Sequence, residues 1–155
     1  MSREDMLYQI MYSHYLEKMF SIFTGRLDKT LSFALILLGS SVMANFDHTI
    51  IIGLAIAVIS AVKMAFTFEA TAEHSRKQAA MYLKLFNIQH QIASDEELLK
   101  EIQNIQDGDY SPWLVFTYPA MLRAKTDLGI SNEIKLTRIE KLIARVSGGY
   151  MSQRN

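Results

Sequence analysis

The sequence predicts an all-α protein built on a two-helix transmembrane hairpin with long cytoplasmic helical extensions. Two apolar runs, residues 30–46 and 49–68, are separated by only Asp47 and His48. A spanning helix needs about 20 apolar residues to cross a hydrocarbon core about 30 Å thick. The flanking segments are charged and show neither strand alternation nor an internal repeat. These observations divide the chain into three regions: residues 1–29, 30–68 and 69–155.

The first region, residues 1–29, is predicted to form an amphipathic helix in the cytoplasm or at the membrane surface. Its Met, Leu, Ile and aromatic residues cover a broad face, and residues 4–23 contain neither Gly nor Pro. The first ten residues are acidic and polar, which is not typical of a secretory signal.

The second region, residues 30–68, is predicted to be the hairpin, with both chain termini in the cytoplasm. Arg26 and Lys29 precede the first run, and Arg76 and Lys77 follow the second, whereas the turn carries only Asp47 and a titrating histidine. Positive residues favour the cytoplasmic side. The alternative is that the two runs are the central pair of a soluble helical bundle, although soluble helices seldom stay apolar on every face for so long.

The third region, residues 69–155, is predicted to be a series of cytoplasmic helices. The second span should continue without interruption to about residue 93, since no Gly or Pro follows it. Ser94 and Glu97 match a capping box that opens a helix over residues 95–106. Pro119 is expected to kink or break the next segment. Ser131 is the expected cap of a final helix over residues 132–146, which Gly148 and Gly149 close.

Composition and motif content argue against an enzyme. The net charge is zero, but residues 1–120 carry −4 and residues 121–155 carry +4, so the C-terminal part attracts anions. The chain has no cysteine, and its four histidines are scattered. No phosphate-binding glycine loop, nucleophile motif or metal-ligand spacing is present, so no catalytic residue, cofactor or metal is predicted.

Lys63 is the one charged residue within the second apolar run. If that run and the next segment form one helix, residues seven apart share a face. The face through Lys63 then contains Ile56, Ser60, Lys63, Thr67, Ala70, His74, Lys77 and Lys84.

This face has two interpretations. In an oligomer, Ile56, Ser60, Lys63 and Thr67 would line a pore in which lysines favour anions and Ile56 gates by dewetting, with His74, Lys77 and Lys84 available to bind a ligand. Alternatively, Lys63 marks the membrane boundary, because it lies about 22 Å from His48 along a helix and can snorkel to the headgroups.

The final predicted helix is amphipathic. One face contains Leu136, Ile139, Leu142, Ile143 and Val146. The basic residues Arg138, Lys141 and Arg145 lie off this face, and Lys135 lies near its edge. The basic residues could bind an anionic ligand such as a nucleotide, lie on anionic lipid, or be the solvated side of a helix whose apolar face is packed.

The segment FTFEATAEHSRKQAAMYLKLF, residues 66–86, resembles the region after the second membrane helix of SLATT-type two-helix membrane effectors. The resemblance lies in the glutamate and small residues before His74 and in the pair Tyr82 and Leu83. The upstream HYLEKMF and the later SPWL are arranged similarly. The resemblance covers most of the chain in layout.

What this resemblance implies is a Hailong-like effector of bacterial anti-phage defence in the inner membrane. Such an effector is an oligomeric channel, with a tetramer favoured, gated by a nucleotide or oligonucleotide from a partner nucleotidyltransferase, which depolarises the infected cell. Two alternatives remain open. The first is a holin-like pore, although the large cytoplasmic part favours regulation; the second is a non-conducting scaffold that recruits a partner through residues 113–122.

Overall fold

A computed structural model describes residues 2–43, 49–109, 112–131 and 134–148. These residues form six α-helices and contain no strand. The α-helices are α1 (Arg3–Met43), α2 (Thr49–Phe66), α3 (Phe68–Ile88), α4 (Asp95–Gln106), α5 (Thr117–Asp127) and α6 (Arg138–Val146). Two short 3-10 helices, Gln89–Gln91 and Leu114–Phe116, precede α4 and α5. The all-α prediction is therefore confirmed.

Helix α1 is the spine of the protein. Its 41 residues run without a break through position 29, where the amphipathic segment was predicted to give way to the first span, and at 1.5 Å per residue they extend about 60 Å. The N-terminal part packs on one side against α3 and α4 and on another against α5. The C-terminal part lies beside α2.

Two apolar clusters hold the N-terminal part of α1 in the helical core. The first joins α1 to α5, and the second joins α1 to α3 and α4. The first contains Met11, Tyr15, Met19, Phe20, Phe116, Ala120 and Ala124. The second contains Met6, Ile10, Tyr82, Leu85, Leu98 and Ile102. Burial of such side chains contributes roughly 1.5–3 kcal/mol each, so these clusters are the main stabilising element.

The apolar part of the molecule contrasts with this core. Helix α2 has no buried residue, and on the C-terminal part of α1 Phe33, Ile36 and Leu37 are exposed. Within the described ranges, one helical stretch, Thr49–Gln91, contains a segment long and apolar enough to cross a membrane. The transmembrane hairpin stays a prediction, and the turn predicted at Asp47 and His48 lies outside the described residues.

The structure corrects two predicted helix caps. Helix α4 begins at Asp95 as expected, but Ser94 makes no capping bond; its hydroxyl donates to Glu96 at 2.5 Å instead. The last helix begins at Arg138 rather than after Ser131. Its cap is Thr137, which accepts a hydrogen bond from the Glu140 backbone N–H and, in return, donates its own backbone N–H to the Glu140 carboxylate at 2.7 Å.

Pro119 does not kink or break α5. It lies in the first turn, two residues after Thr117, where a backbone N–H would have no helical acceptor. The missing donor of proline therefore costs nothing at this position.

Candidate functional site

Lys63 forms an ion pair across the two apolar helices. Its ammonium lies 3.1 Å from the carboxylate of Asp28 on α1 and donates a hydrogen bond to the hydroxyl of Ser32. The side chains of Lys63 and Asp28 are only 24% and 17% exposed. Asp28 and Ser32 are four residues apart on α1 and thus share one face, so α1 presents two acceptors to one cation.

This pair joins α1 to α2 at the last turn of α2, where the apolar stretch ends. A charge with little access to water is costly unless it is paired and hydrogen-bonded. Separating the two helices here would leave both charges without partners. The Lys63–Asp28 pair is therefore an electrostatic clamp whose strength depends on the distance between α1 and α2.

The helix that carries Lys63 is interrupted four residues later. Thr67 has φ 41° and ψ 48°, the only non-glycine residue of the described chain with positive φ. A side chain in this left-handed region costs roughly 1–2 kcal/mol. The Thr67 N–H still donates to the Lys63 carbonyl at 3.1 Å, and Thr71 N–H donates to the Thr67 carbonyl at 3.0 Å. The chain therefore changes direction at a single residue.

The break changes which side chains face the core. Phe66 is exposed and Phe68 is buried, and their rings stack 5.4 Å apart. The predicted uninterrupted helix through Lys63 and His74 is thus wrong. Of the four predicted pore-lining residues, Ser60 and Thr67 are exposed, Ile56 is half-buried, and Lys63 is turned toward Asp28.

A groove of about 940 Å³ lies between α1 and α3 beside the break. Asp28 lines one part of it, which makes the groove contiguous with the Lys63–Asp28 pair. Its other charged residues are Arg26, Lys29, Glu69, Glu73 and Arg76. Arg76 is paired with Glu73 at 2.6 Å. Because the lining carries both positive and negative side chains, the groove suits ligand groups of either charge. Ser21 and Ala72 also line the groove, and the Ser21 hydroxyl donates a hydrogen bond to the Ala72 carbonyl at 2.8 Å.

The seven residues predicted to bind a ligand lie outside this groove. On α3, His74 is hydrogen-bonded to the Gly108 carbonyl at 2.6 Å, Lys77 is 3.8 Å from Glu73, and Lys84 is exposed. The basic residues at the other end of the chain, Lys135, Arg138, Lys141 and Arg145, are all exposed. Because α3 packs on α1 and α4 while α6 packs on α1, α5 and Leu114–Phe116, the two sets belong to different layers.

A second set of polar groups lies inside the helical core formed by α1, α3 and α4. This buried polar cluster consists of Glu17, Ser75, Gln78, Tyr82 and Asp109. Glu17 is only 2% exposed, and the Tyr82 hydroxyl donates to Asp109 at 2.6 Å. Within the described residues, one carboxylate oxygen of Glu17, one of Asp109 and the Ser75 hydroxyl have no well-formed hydrogen bond. Such groups are rare in protein cores, where nearly all polar atoms find partners.

Burial dominates the electrostatics of this cluster. Loss of water raises the pKa of Glu17 from 4.5 to about 7, and the nearby Asp109 carboxylate adds to the rise, while Ser75 and His74 oppose it. Burial also raises the pKa of Asp109, opposed by the Tyr82 hydrogen bond and by His74. The cluster can therefore hold or release a proton near neutral pH. Among the described residues, no three His, Asp or Glu side chains are grouped as metal ligands.

Sequence reasoning missed both Asp28 and Glu17, although each leaves a signal. A carboxylate next to an apolar run needs a partner, and Lys63 is the one cation within those runs. Glu17 lies seven residues after Ile10 and three before Phe20, which puts it on the apolar stripe of α1.

No protein-family model, curated protein or solved structure matches the chain. The resemblance to SLATT-type effectors thus rests on the sequence segments alone.

Proposed function

We propose that this protein is the subunit of a homo-oligomeric membrane channel whose conducting state is controlled by its cytoplasmic helices. The observation that carries the proposal is the placement of the Lys63–Asp28 pair. It lies at the end of an apolar helix without a buried residue, four residues from a strained break that leads into the cytoplasmic core. In a transmembrane setting, an ionisable residue on such a helix is a candidate for an ion path.

The pair suggests how the channel would be gated. While Asp28 neutralises Lys63, the path has no free positive charge from this residue. Movement of α1 away from α2 would release Lys63 into the path, where a ring of lysines from several subunits would favour anions. The groove between α1 and α3 adjoins the pair, so a ligand that changes this interface could bias the two states.

The biological setting follows the resemblance to SLATT-type effectors. The protein would act in the bacterial inner membrane with both termini in the cytoplasm, as a tetramer or a similar closed ring. A nucleotide or oligonucleotide made by a partner nucleotidyltransferase would open it, and the ion flux would depolarise the cell in anti-phage defence. The exposed lysines of α3, Lys77 and Lys84, are the proposed contacts for this anionic signal.

A non-conducting scaffold is the second candidate, and one observation favours it. Within residues 113–122, Trp113, Leu114 and Tyr118 are exposed large side chains next to the first core cluster. Exposed apolar groups that are contiguous often mark an interaction site. In this alternative the membrane helices only anchor the protein.

Ion flux through liposomes containing the purified protein tests the proposal. Asp28→Asn should raise anion flux in the absence of any ligand by about tenfold, because the loss of roughly 1–2 kcal/mol from a pair this poorly exposed favours the separated state. Lys63→Glu should reduce or reverse the preference for anions. The matched control is Asp107→Asn, which removes an exposed carboxylate at the end of α4 and should leave flux unchanged.

The outcomes separate the two candidates. Inserted protein that conducts under no condition, with or without oligonucleotides and cyclic nucleotides, would support the scaffold. Conduction whose rate and selectivity are the same in the wild type, Asp28→Asn and Lys63→Glu would remove the Lys63–Asp28 pair from the path.

A further inference from the structure

Helix α6 packs with an unexpected side against the rest of the protein. Ala144 and Ser147 are buried, whereas Ile139 and Leu142 are 66% and 62% exposed and Val146 is also exposed. The sequence favours packing of the apolar face, with the basic residues as the solvated side. In the structure only Ile143 of that face joins a core cluster. The most apolar part of α6 therefore points away from the protein.

The outward side of α6 has an ordered arrangement. At 3.6 residues per turn, Ile139, Leu142 and Val146 fall within roughly 60° of one another. The basic residues Arg138, Lys141 and Arg145 form a second row, roughly 100° around the helix from the first. An apolar row flanked by lysine and arginine is the pattern of a helix that lies in the plane of a membrane surface.

The C-terminal end of α6 is fixed to α1 close to the start of the apolar run. Arg26 donates a hydrogen bond to the Val146 carbonyl, and Gly148 lies so close to Ile22 that an added Cβ would be 3.3 Å from the Ile22 Cδ1. Arg26 precedes Thr30, the first residue of the apolar run, by four residues, or about 6 Å along the helix. The headgroup layer of a bilayer is about 5–8 Å thick on each side, so this end of α6 would lie at headgroup height if the membrane span of α1 begins at Thr30.

Two further exposed apolar side chains come from the segment next to α6. Trp113 packs edge-to-face on Phe20 and Phe23 of α1, with ring centroids 5.9 and 5.7 Å away, and stays partly exposed. Leu114, the next residue, is 87% exposed, and it belongs to the 3-10 helix that contacts α6. Tryptophan is enriched at the headgroup level of membranes.

We propose that α6, together with Trp113 and Leu114, docks on the anionic lipid surface of the cytoplasmic leaflet. This inference rests on the membrane placement in the proposed function but not on ion conduction. Charge complementarity favours lipid over a second copy of the chain, because a symmetric contact through α6 would bring two rows of basic residues together. Docking would hold α6 at the membrane. The hydrogen bond from Arg26 to Val146 ties α6 to α1 two residues before Asp28.

The composition of the chain makes a direct test possible. The protein has no cysteine and one tryptophan, so a single introduced cysteine can be labelled without background, and tryptophan fluorescence reports Trp113 alone. Full-length Leu142→Cys and Lys141→Cys, each carrying an environment-sensitive dye, are reconstituted in vesicles of phosphatidylglycerol and phosphatidylcholine. Quenching is measured with a lipid that carries a nitroxide near the top of its acyl chain and, separately, with aqueous iodide.

Lipid docking predicts that the nitroxide lipid quenches the dye at Leu142 about twofold or more strongly than the dye at Lys141, since the apolar side of such a helix is buried about 5–10 Å into the interface. Iodide should show the opposite order. In the unlabelled wild type, brominated lipid should quench Trp113, which needs no substitution and guards against misfolding of a variant. If the nitroxide lipid quenches the dye at position 142 as strongly in vesicles of phosphatidylcholine alone as in vesicles that contain phosphatidylglycerol, the requirement for anionic lipid is overturned.

Two results would overturn the docking itself. A dye at Leu142 that iodide reaches as readily as the dye at Lys141 would show a surface in water. A dye protected from both quenchers would show a surface covered by protein, such as a second copy. Failure of the wild-type protein to float with vesicles would instead remove the membrane placement, and with it the proposed channel.

Discussion

Glu17 gives a quantitative prediction about stability and pH. Its pKa in the folded protein is about 7, against 4.5 for an ordinary glutamate, because burial disfavours the ionised form. Between these two pH values the folded state binds more protons than the unfolded state, so the free energy of unfolding falls as pH rises from about 4.5 to about 7. The total loss is about 3 kcal/mol, an upper value reached once Glu17 is ionised. Asp109 shifts in the same direction.

Glu17→Gln removes the buried charge while keeping the size of the side chain. We expect the variant to be more stable than the wild type by up to about 3 kcal/mol at pH 8, and by less than about 1 kcal/mol at pH 5, where Glu17 is still protonated in the folded protein. Thermal or urea unfolding of the purified protein in a neutral detergent at pH 5, 6.5 and 8 measures this. The control is Glu101→Gln on α4, which alters an exposed carboxylate and should show no such dependence.

The pH dependence of the difference decides the matter. A gain of equal size at pH 5 and pH 8 would mean that the substitution improves packing rather than removing a charge. A variant less stable than the wild type at pH 8 would mean that the ionised carboxylate has favourable partners. It would refute the conclusion that ionisation of the buried Glu17 destabilises the folded protein.

Two further predictions concern local backbone structure. Thr67→Gly should stabilise the protein by about 1 kcal/mol in thermal unfolding, because glycine accepts the positive φ that threonine holds at a cost; Thr67→Ala keeps a Cβ and should give no such gain. Thr137→Ala should cost about 1 kcal/mol by removing the capping box with Glu140, whereas Ser94→Ala should cost almost nothing, since Ser94 makes no capping bond. Equal losses at both caps would contradict the geometry.

The helical character of the chain follows from its sequence, but the exact helix ends do not. Ser94 with Glu97 and Thr137 with Glu140 fit the same four-residue capping pattern, and only the second pair forms the reciprocal bonds. At Ser94 the hydroxyl is taken by Glu96. A pattern of residue types cannot say which of two nearby acceptors a hydroxyl will choose, since the free energies of these bonds differ by less than about 1 kcal/mol.

The break at Thr67 could not be foreseen from local sequence either. Neither Gly nor Pro stands near it, and threonine is a poor residue for positive φ. What favours the break is tertiary: burial of Phe68 and of the α3 face that meets α1. Because the predicted stripe through Lys63 assumed one uninterrupted helix, the break also removes the basis for extending that stripe to His74, Lys77 and Lys84.

The interface between α1 and α3 connects the buried polar cluster around Glu17 with the Lys63–Asp28 pair. Glu17 and Asp28 are eleven residues apart on the same uninterrupted helix, about 16 Å along its axis. Between them, Ser21 donates to Ala72, and the groove opens directly beyond that bond. A change in the charge of Glu17 acts on the contact between α1 and α3, and α3 leads back through Thr67 to Lys63. In the proposed channel, protonation of Glu17 and binding of a ligand in the groove would therefore act on the same pair of helices, α1 and α3. Glu17→Gln should alter the pH dependence of ion flux without altering its selectivity.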